Sequence, residues 1–99
     1  MSQEKPWIAD ADGFRSVLMF ENTRVENIAA FAYSAGLARK LYTDFGNPPP
    51  PMPVTPLRYP CSMRVTEREK VGTGERIGRV QFVDLADDTM LFDQTWAIT

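Results

Sequence analysis

The chain reads as an α+β protein in which one long helix lies on a three- to four-stranded antiparallel sheet, in two layers. Three observations predict this. Residues 24–44 are rich in Ala and Leu between a helix-start and a helix-stop signal; residues 57–99 alternate apolar and polar through two turns; and six prolines in residues 47–56 separate the two regimes. At 99 residues and 43% apolar content the chain has the length of a single domain, 1–99, with a thin core. A second packed surface from another copy would stabilise such a core markedly.

Residues 1–13 form a polar N-terminal arm carrying Trp7 and ending in Asp10-Ala-Asp-Gly13, a turn signal. Phe14 to Phe20 is a short apolar run read as a strand, so that residues 14–46 hold a short strand and the long helix. Thr23-Arg-Val-Glu26 matches a capping box, in which the Thr hydroxyl accepts from the amide three residues on and the Glu reaches back. Ala, Leu, Arg and Lys follow, all strong helix formers. Arg39 and Lys40 sit where cations complement the carbonyl end of a helix, and Gly46 with Pro48 supplies the stop. The predicted helix spans roughly 24–44.

That helix is apolar nearly all the way round. Ile28, Phe31, Ala32, Ala35 and Tyr42 make one stripe; Ala30, Tyr33, Leu37 and Leu41 make another. A helix with two apolar stripes needs two covers, and a chain this short offers one sheet. Ala29, Ala32 and Gly36, beside Tyr33 and Leu37, let another backbone come close. A two-fold homodimer with helix against helix is therefore expected, with these five residues at its interface.

The connector at 47–56 is a stiff polyproline segment. After it Leu57, Tyr59, Cys61, Met63 and Val65 alternate with Arg58, Pro60, Ser62, Arg64 and Thr66, a half-buried strand. Pro60 has no amide donor, so the strand should lie at a sheet edge there or be bulged. Residues 67–75 read as a charged, Gly-containing hairpin connection. Residues 78–85 make a second strand, Ala86-Asp87-Asp88 a tight turn, and residues 89–98 a third strand. Together 57–99 form an antiparallel meander.

Composition closes off several chemistries. Without His there is no Ser-His or Cys-His relay and no imidazole metal site. A single Cys allows neither an intrachain disulfide nor a thiolate zinc cluster, and Cys61 falls on the apolar face of a strand, where it acts as a small hydrophobe. No catalytic residue, metal or cofactor is expected. Asp10 to Glu21 has the length of a calcium loop but carries Arg15 where that loop requires Gly. The Gly72–Gly78 run is one residue too long for a dinucleotide fingerprint and is followed by a strand, so a hairpin loop is its better reading. Pro53-Val-Thr-Pro56-Leu-Arg58 has the spacing of an SH3 ligand, but a stiff linker packed on its own domain is its better reading.

Charge points to partners. The formal net charge is -2, without the basic surplus of duplex binders, which argues against nucleic acid. No stretch is apolar for the ~20 residues a membrane span needs, so no membrane is expected; without a signal-peptide pattern at the start, a cytoplasmic location follows. Within the chain, residues 58–79 hold six basic groups against three acidic ones, while residues 84–93 hold four acids and no base. Arg58, Arg64, Arg68 and Arg79 can serve an anion or an acidic partner, or be neutralised from within by Asp84 and Asp93 on neighbouring strands. Trp7 is the aromatic best placed to touch a partner. The expected function is a non-catalytic interaction protein, a homodimeric inhibitor or modulator of another macromolecule. The alternative is a sponge or sensor holding an anionic small molecule or nucleotide between protomers on those arginines.

Overall fold

The computed structural model describes residues 13–98. Trp7, and the Asp10–Gly13 turn apart from Gly13 itself, lie outside the described residues. The elements run β1 (Phe14–Val25), α1 (Ile28–Thr43), β2 (Cys61–Lys70), β3 (Arg76–Asp84) and β4 (Met90–Ala97). The four strands form one antiparallel sheet in the order β1-β2-β3-β4, with α1 packed on one face, the α+β architecture expected.

β1 is longer than the predicted run, and this moves the start of the helix. Thr23 and Val25 are β-branched and remain in the strand; Val25 is completely buried opposite Cys61. Glu26 pairs with Arg24 and does not reach back to Thr23, so the capping box does not form. Asn27 caps the helix in its place, its side-chain oxygen accepting from the Ala30 N–H at 2.9 Å. The far end closes as expected. Gly46 takes a φ of 76°, and the N–H groups of Gly46 and Asn47 donate to the carbonyls of Thr43 and Tyr42 at 3.0 and 2.9 Å, a Schellman closure.

The buried stripe of α1 is Ser34, Ala35, Ala38 and Tyr42, with Phe31 half-buried. Ile28 and Ala32, read on one stripe with Phe31, Ala35 and Tyr42, are exposed while the other three turn to the sheet. Below the stripe lie Cys61, Met63 and Val65 of β2 and Val80 and Phe82 of β3, all completely buried. Phe31 meets Phe82 with ring centroids 5.6 Å apart, and Tyr42 meets Trp96 edge-on at 5.2 Å. Each fully buried side chain of the size of Phe82 or Met63 contributes roughly 1.5–3 kcal/mol.

β2 is an interior strand, not an edge. Pro60 precedes it after a cis Tyr59–Pro60 bond, so its missing N–H falls outside the ladder. Leu57 and Tyr59, expected in the strand, lie ahead of it and still pack on the core. The connector belongs to the helix layer: the Trp96 indole N–H donates to the Pro48 carbonyl at 3.0 Å, Pro50 is buried, and Met52 packs against the core.

The first hairpin is tighter than the sequence indicates, and the second is wider, with residues 85–89 between the strands. β2 and β3 extend to Lys70 and Arg76, leaving Val71–Glu75 as the loop, with Gly72 and Gly74 at φ of 101° and 77°. That is a structural demand for glycine, met by a hairpin loop. The second hairpin turns over Ala86–Asp88; Asp84 and Asp87 accept from the N–H groups of Ala86 and Thr89, two residues on.

Candidate interaction surface

Two surfaces flank the core, one on each side. The first is the face of the sheet opposite α1. Period-two alternation that buries Met63, Val65, Val80 and Phe82 turns Arg64, Arg68, Gln81 and Arg79 to the other side. There Arg64 pairs with Glu21 of β1 at 3.2 Å, and Arg79 forks onto Asp93 of β4 at 2.8 and 2.7 Å. The Arg79 fork holds the Asp93 carboxyl below its usual range. The Arg68 guanidinium stacks over the Phe14 ring, 4.2 Å from its centroid, with the Lys70 ammonium 5.8 Å from the same ring. Arg58 lies before β2 and bonds Asp84 at 3.1 Å. So Arg64 and Arg68 share a strand and a face with Arg79 adjacent, while Arg58 stands apart at the sheet's end. Arg58, Arg64 and Arg79 each already face a carboxylate. A shallow hollow of about 230 Å³ on this side is lined by Ser62, Arg64, Gln81, Val83, Leu85 and Asp88, one base and one acid among them.

The second surface is the outside of α1. Ala29, Ala32, Tyr33, Gly36 and Leu37 are all exposed, Tyr33 at 70%. Leu41 and Phe45 continue the apolar strip toward the end of the helix, Phe45 at 80% exposure. Between this flank and β1 runs a groove of about 370 Å³, lined by Met19, Phe20, Leu37, Leu41 and Phe45 with Lys40 and Asp44 on its rim. Met19 is the extra residue where the β1–β2 register shifts between Leu18 and Phe20. Bulges of this kind bend an edge strand and discourage it from pairing edge to edge. Five residues in one strip, each apolar or small and each left outside by the sheet, make this the more distinctive face.

Sequence reasoning missed a third feature, inside the helix layer. Arg76 grips Glu67 with two parallel hydrogen bonds of 3.0 Å, and the Glu67 carboxylate is almost fully buried. That contact raises the Arg76 value, outweighing the opposing effect of burial. Tyr42 lies against this pair with its hydroxyl making no hydrogen bond of ordinary geometry. Burial first, and then the neighbouring Glu67 carboxylate, push its phenol far above the usual range. The available signal was phase: Glu67 continues the inward alternation of Cys61, Met63 and Val65.

Cys61 is completely buried, and burial together with Asp84 pushes its thiol up, away from the reactive thiolate. Glu21, Glu67, Asp84 and Asp93 are each committed to an arginine. Among the described residues no cluster of His, Cys, Asp or Glu is placed to hold a metal ion, and no helix is long and apolar enough to cross a membrane. Comparison of the chain with protein-family models, with curated proteins and with solved structures returned no match.

Proposed function

We propose that this chain is a small non-catalytic interaction protein of the cytoplasm, a homodimer that binds another macromolecule and modulates it in the manner of an inhibitor. The observation that carries the reading is the outer strip of α1, where Tyr33 and Leu37 stand exposed among Ala29, Ala32 and Gly36 while the sheet covers only the opposite stripe. Covering that strip with a second copy removes apolar area from water without asking more of a thin core. Homodimerisation through α1 leaves the sheet's other face outside the dimer interface, where Arg64 and Arg79 are paired with Glu21 and Asp93 and Arg68 stacks on Phe14. Paired charges suit a protein surface better than a small anion, because an anion must first displace Glu21 or Asp93. That favours a macromolecular partner over a nucleotide held between protomers.

Sedimentation equilibrium tests the reading. The wild-type chain should sediment as a dimer and Leu37→Glu as a folded monomer. A monomeric wild type, or a Leu37→Glu dimer of unchanged affinity, overturns it.

A further inference from the structure

We infer that the N-terminal arm, residues 1–12, lies across the face of the sheet opposite α1, with Trp7 and Ile8 seated over Leu18 and Thr66. Part of that face is shielded. Ser16 is 3% exposed and Thr66 is completely buried, and the alternation that turns Arg64 and Arg68 away from α1 turns both of them the same way. Ser16 belongs to an edge strand, where a small polar side chain on an open face would be wet. The heads of the nearby arginines are drawn elsewhere. Arg64 turns to Glu21, Arg68 to Phe14 and Arg79 to Asp93, none of which stands beside Thr66 in the ladder. Leu18, which does, is itself exposed. The Thr66 hydroxyl has no hydrogen-bond partner among the described residues, a cost that backbone lying over it would remove.

The arm starts from the right corner and is long enough. Gly13 accepts from the Val71 N–H at 2.6 Å and has a φ of 78°, a turn conformation immediately ahead of Phe14. A reversal there lays residues 9–12 beside Ser16 and sends Trp7 back along β1 and β2. The six residues from Gly13 to Trp7 span up to about 20 Å when extended, against about 13 Å along β2 from Lys70 to Thr66. Charge agrees with this path. Arg68 and Lys70 stack over Phe14 at the same corner, and Asp10 and Asp12 are the acids next to Gly13. The groove between α1 and β1 is the other apolar surface nearby, but its Leu37, Leu41 and Phe45 are exposed where Ser16 and Thr66 are not.

The test is the rate at which a thiol reagent labels Ser16→Cys, with melting temperature and an unlabelled, buried Cys61 as controls for folding. The new thiol should react about tenfold more slowly than in the same chain carrying Trp7→Ala and Ile8→Ala, because the arm must lift before the reagent enters. Equal rates overturn the inference. Protection that vanishes on dilution also overturns it, since the cover would then be the arm of a second copy. Fluorotryptophan NMR gives a measurement that needs no cysteine. Of the two tryptophan resonances, the one lost in Trp7→Phe should stand away from the position of free tryptophan. Leu18→Glu should return it there and leave the Trp96 resonance in place. A Trp7 resonance at the free position in the wild-type chain, or one that Leu18→Glu does not move, overturns this seat for the arm.

Discussion

Arg76 and Glu67 meet across the β2–β3 hairpin through two matched hydrogen bonds, Nε to Oε1 and Nη2 to Oε2, each 3.0 Å long. The pair sits on the helix side of the sheet beside Tyr42, and Tyr42 packs edge-on against Trp96, whose indole holds the connector at Pro48. One buried ion pair thus stands beneath the junction of helix, sheet and polyproline arm. Its worth lies less in net stability than in what happens when one member is removed.

Arg76→Met should cost about 3 kcal/mol, because it strands the Glu67 carboxylate in the core without its fork. Replacing both residues, Glu67→Leu with Arg76→Met, should recover most of that loss, since two apolar side chains need no partner. Urea unfolding of the three variants measures this. A double variant no more stable than Arg76→Met would mean that the pair is not the source of the penalty.

The helix start provides a second check. Asn27→Ala should destabilise the protein by about 1 kcal/mol, the usual worth of an N-cap side chain. Thr23→Ala should cost little through capping, because Thr23 is an exposed strand residue here. Equal losses in denaturant midpoint would return the cap to Thr23.

These two residues also show where the fold was legible and where it was not. Local patterns place the long helix, its Gly46 stop and the alternating strands, because each is written within a few neighbouring side chains. The capping box misled because its four residues satisfy a local rule while Val25, in the middle of them, is claimed by a partner 36 positions away, Cys61. Pro60 misled for a related reason. A missing amide forbids only the interior of a ladder, and the strand simply begins one residue later. The arginines of the sheet face could be named, and Asp93 matched to Arg79, because strand alternation is local; Asp84 instead lies on the buried side with Val80 and Phe82 and meets Arg58, which stands before β2. That Glu21 would reach Arg64 depends on the β1–β2 register and its bulge at Met19, which no short window contains. The same holds for Glu67 and Arg76, which join only once the hairpin is shorter than its charged composition implies.

Gly78 lies directly under Trp96 in the β3–β4 ladder, and a Cβ at this position would overlap the indole ring. Its φ is not the constraint; space is. Gly78→Ala should therefore cost about 1–3 kcal/mol, the range for overpacking, and shift the Trp96 ring off Tyr42 and Pro48. Pairing it with Trp96→Phe, whose smaller ring gives way, should make the two losses less than additive. Strict additivity in urea midpoints would separate Gly78 from Trp96.

Acid should weaken the sheet through Asp93. The Arg79 hydrogen bonds lower its carboxyl in the folded state, so the ionised form is preferred there more strongly than in the unfolded chain. A carboxylate lowered in this way contributes stability that is present in full above the unfolded value of about 4, and that contribution is lost as pH falls through the lower folded value. Both side chains are partly exposed, which keeps the contribution to about 1 kcal/mol. Asp93→Asn removes the titration and keeps the shape. The stability gap between wild type and Asp93→Asn should accordingly be constant from neutral pH to about 5, then close as pH drops below about 4. A gap that persists undiminished into acid would mean that the Arg79 fork does not govern Asp93, and that the charge lattice on this face contributes no pH dependence.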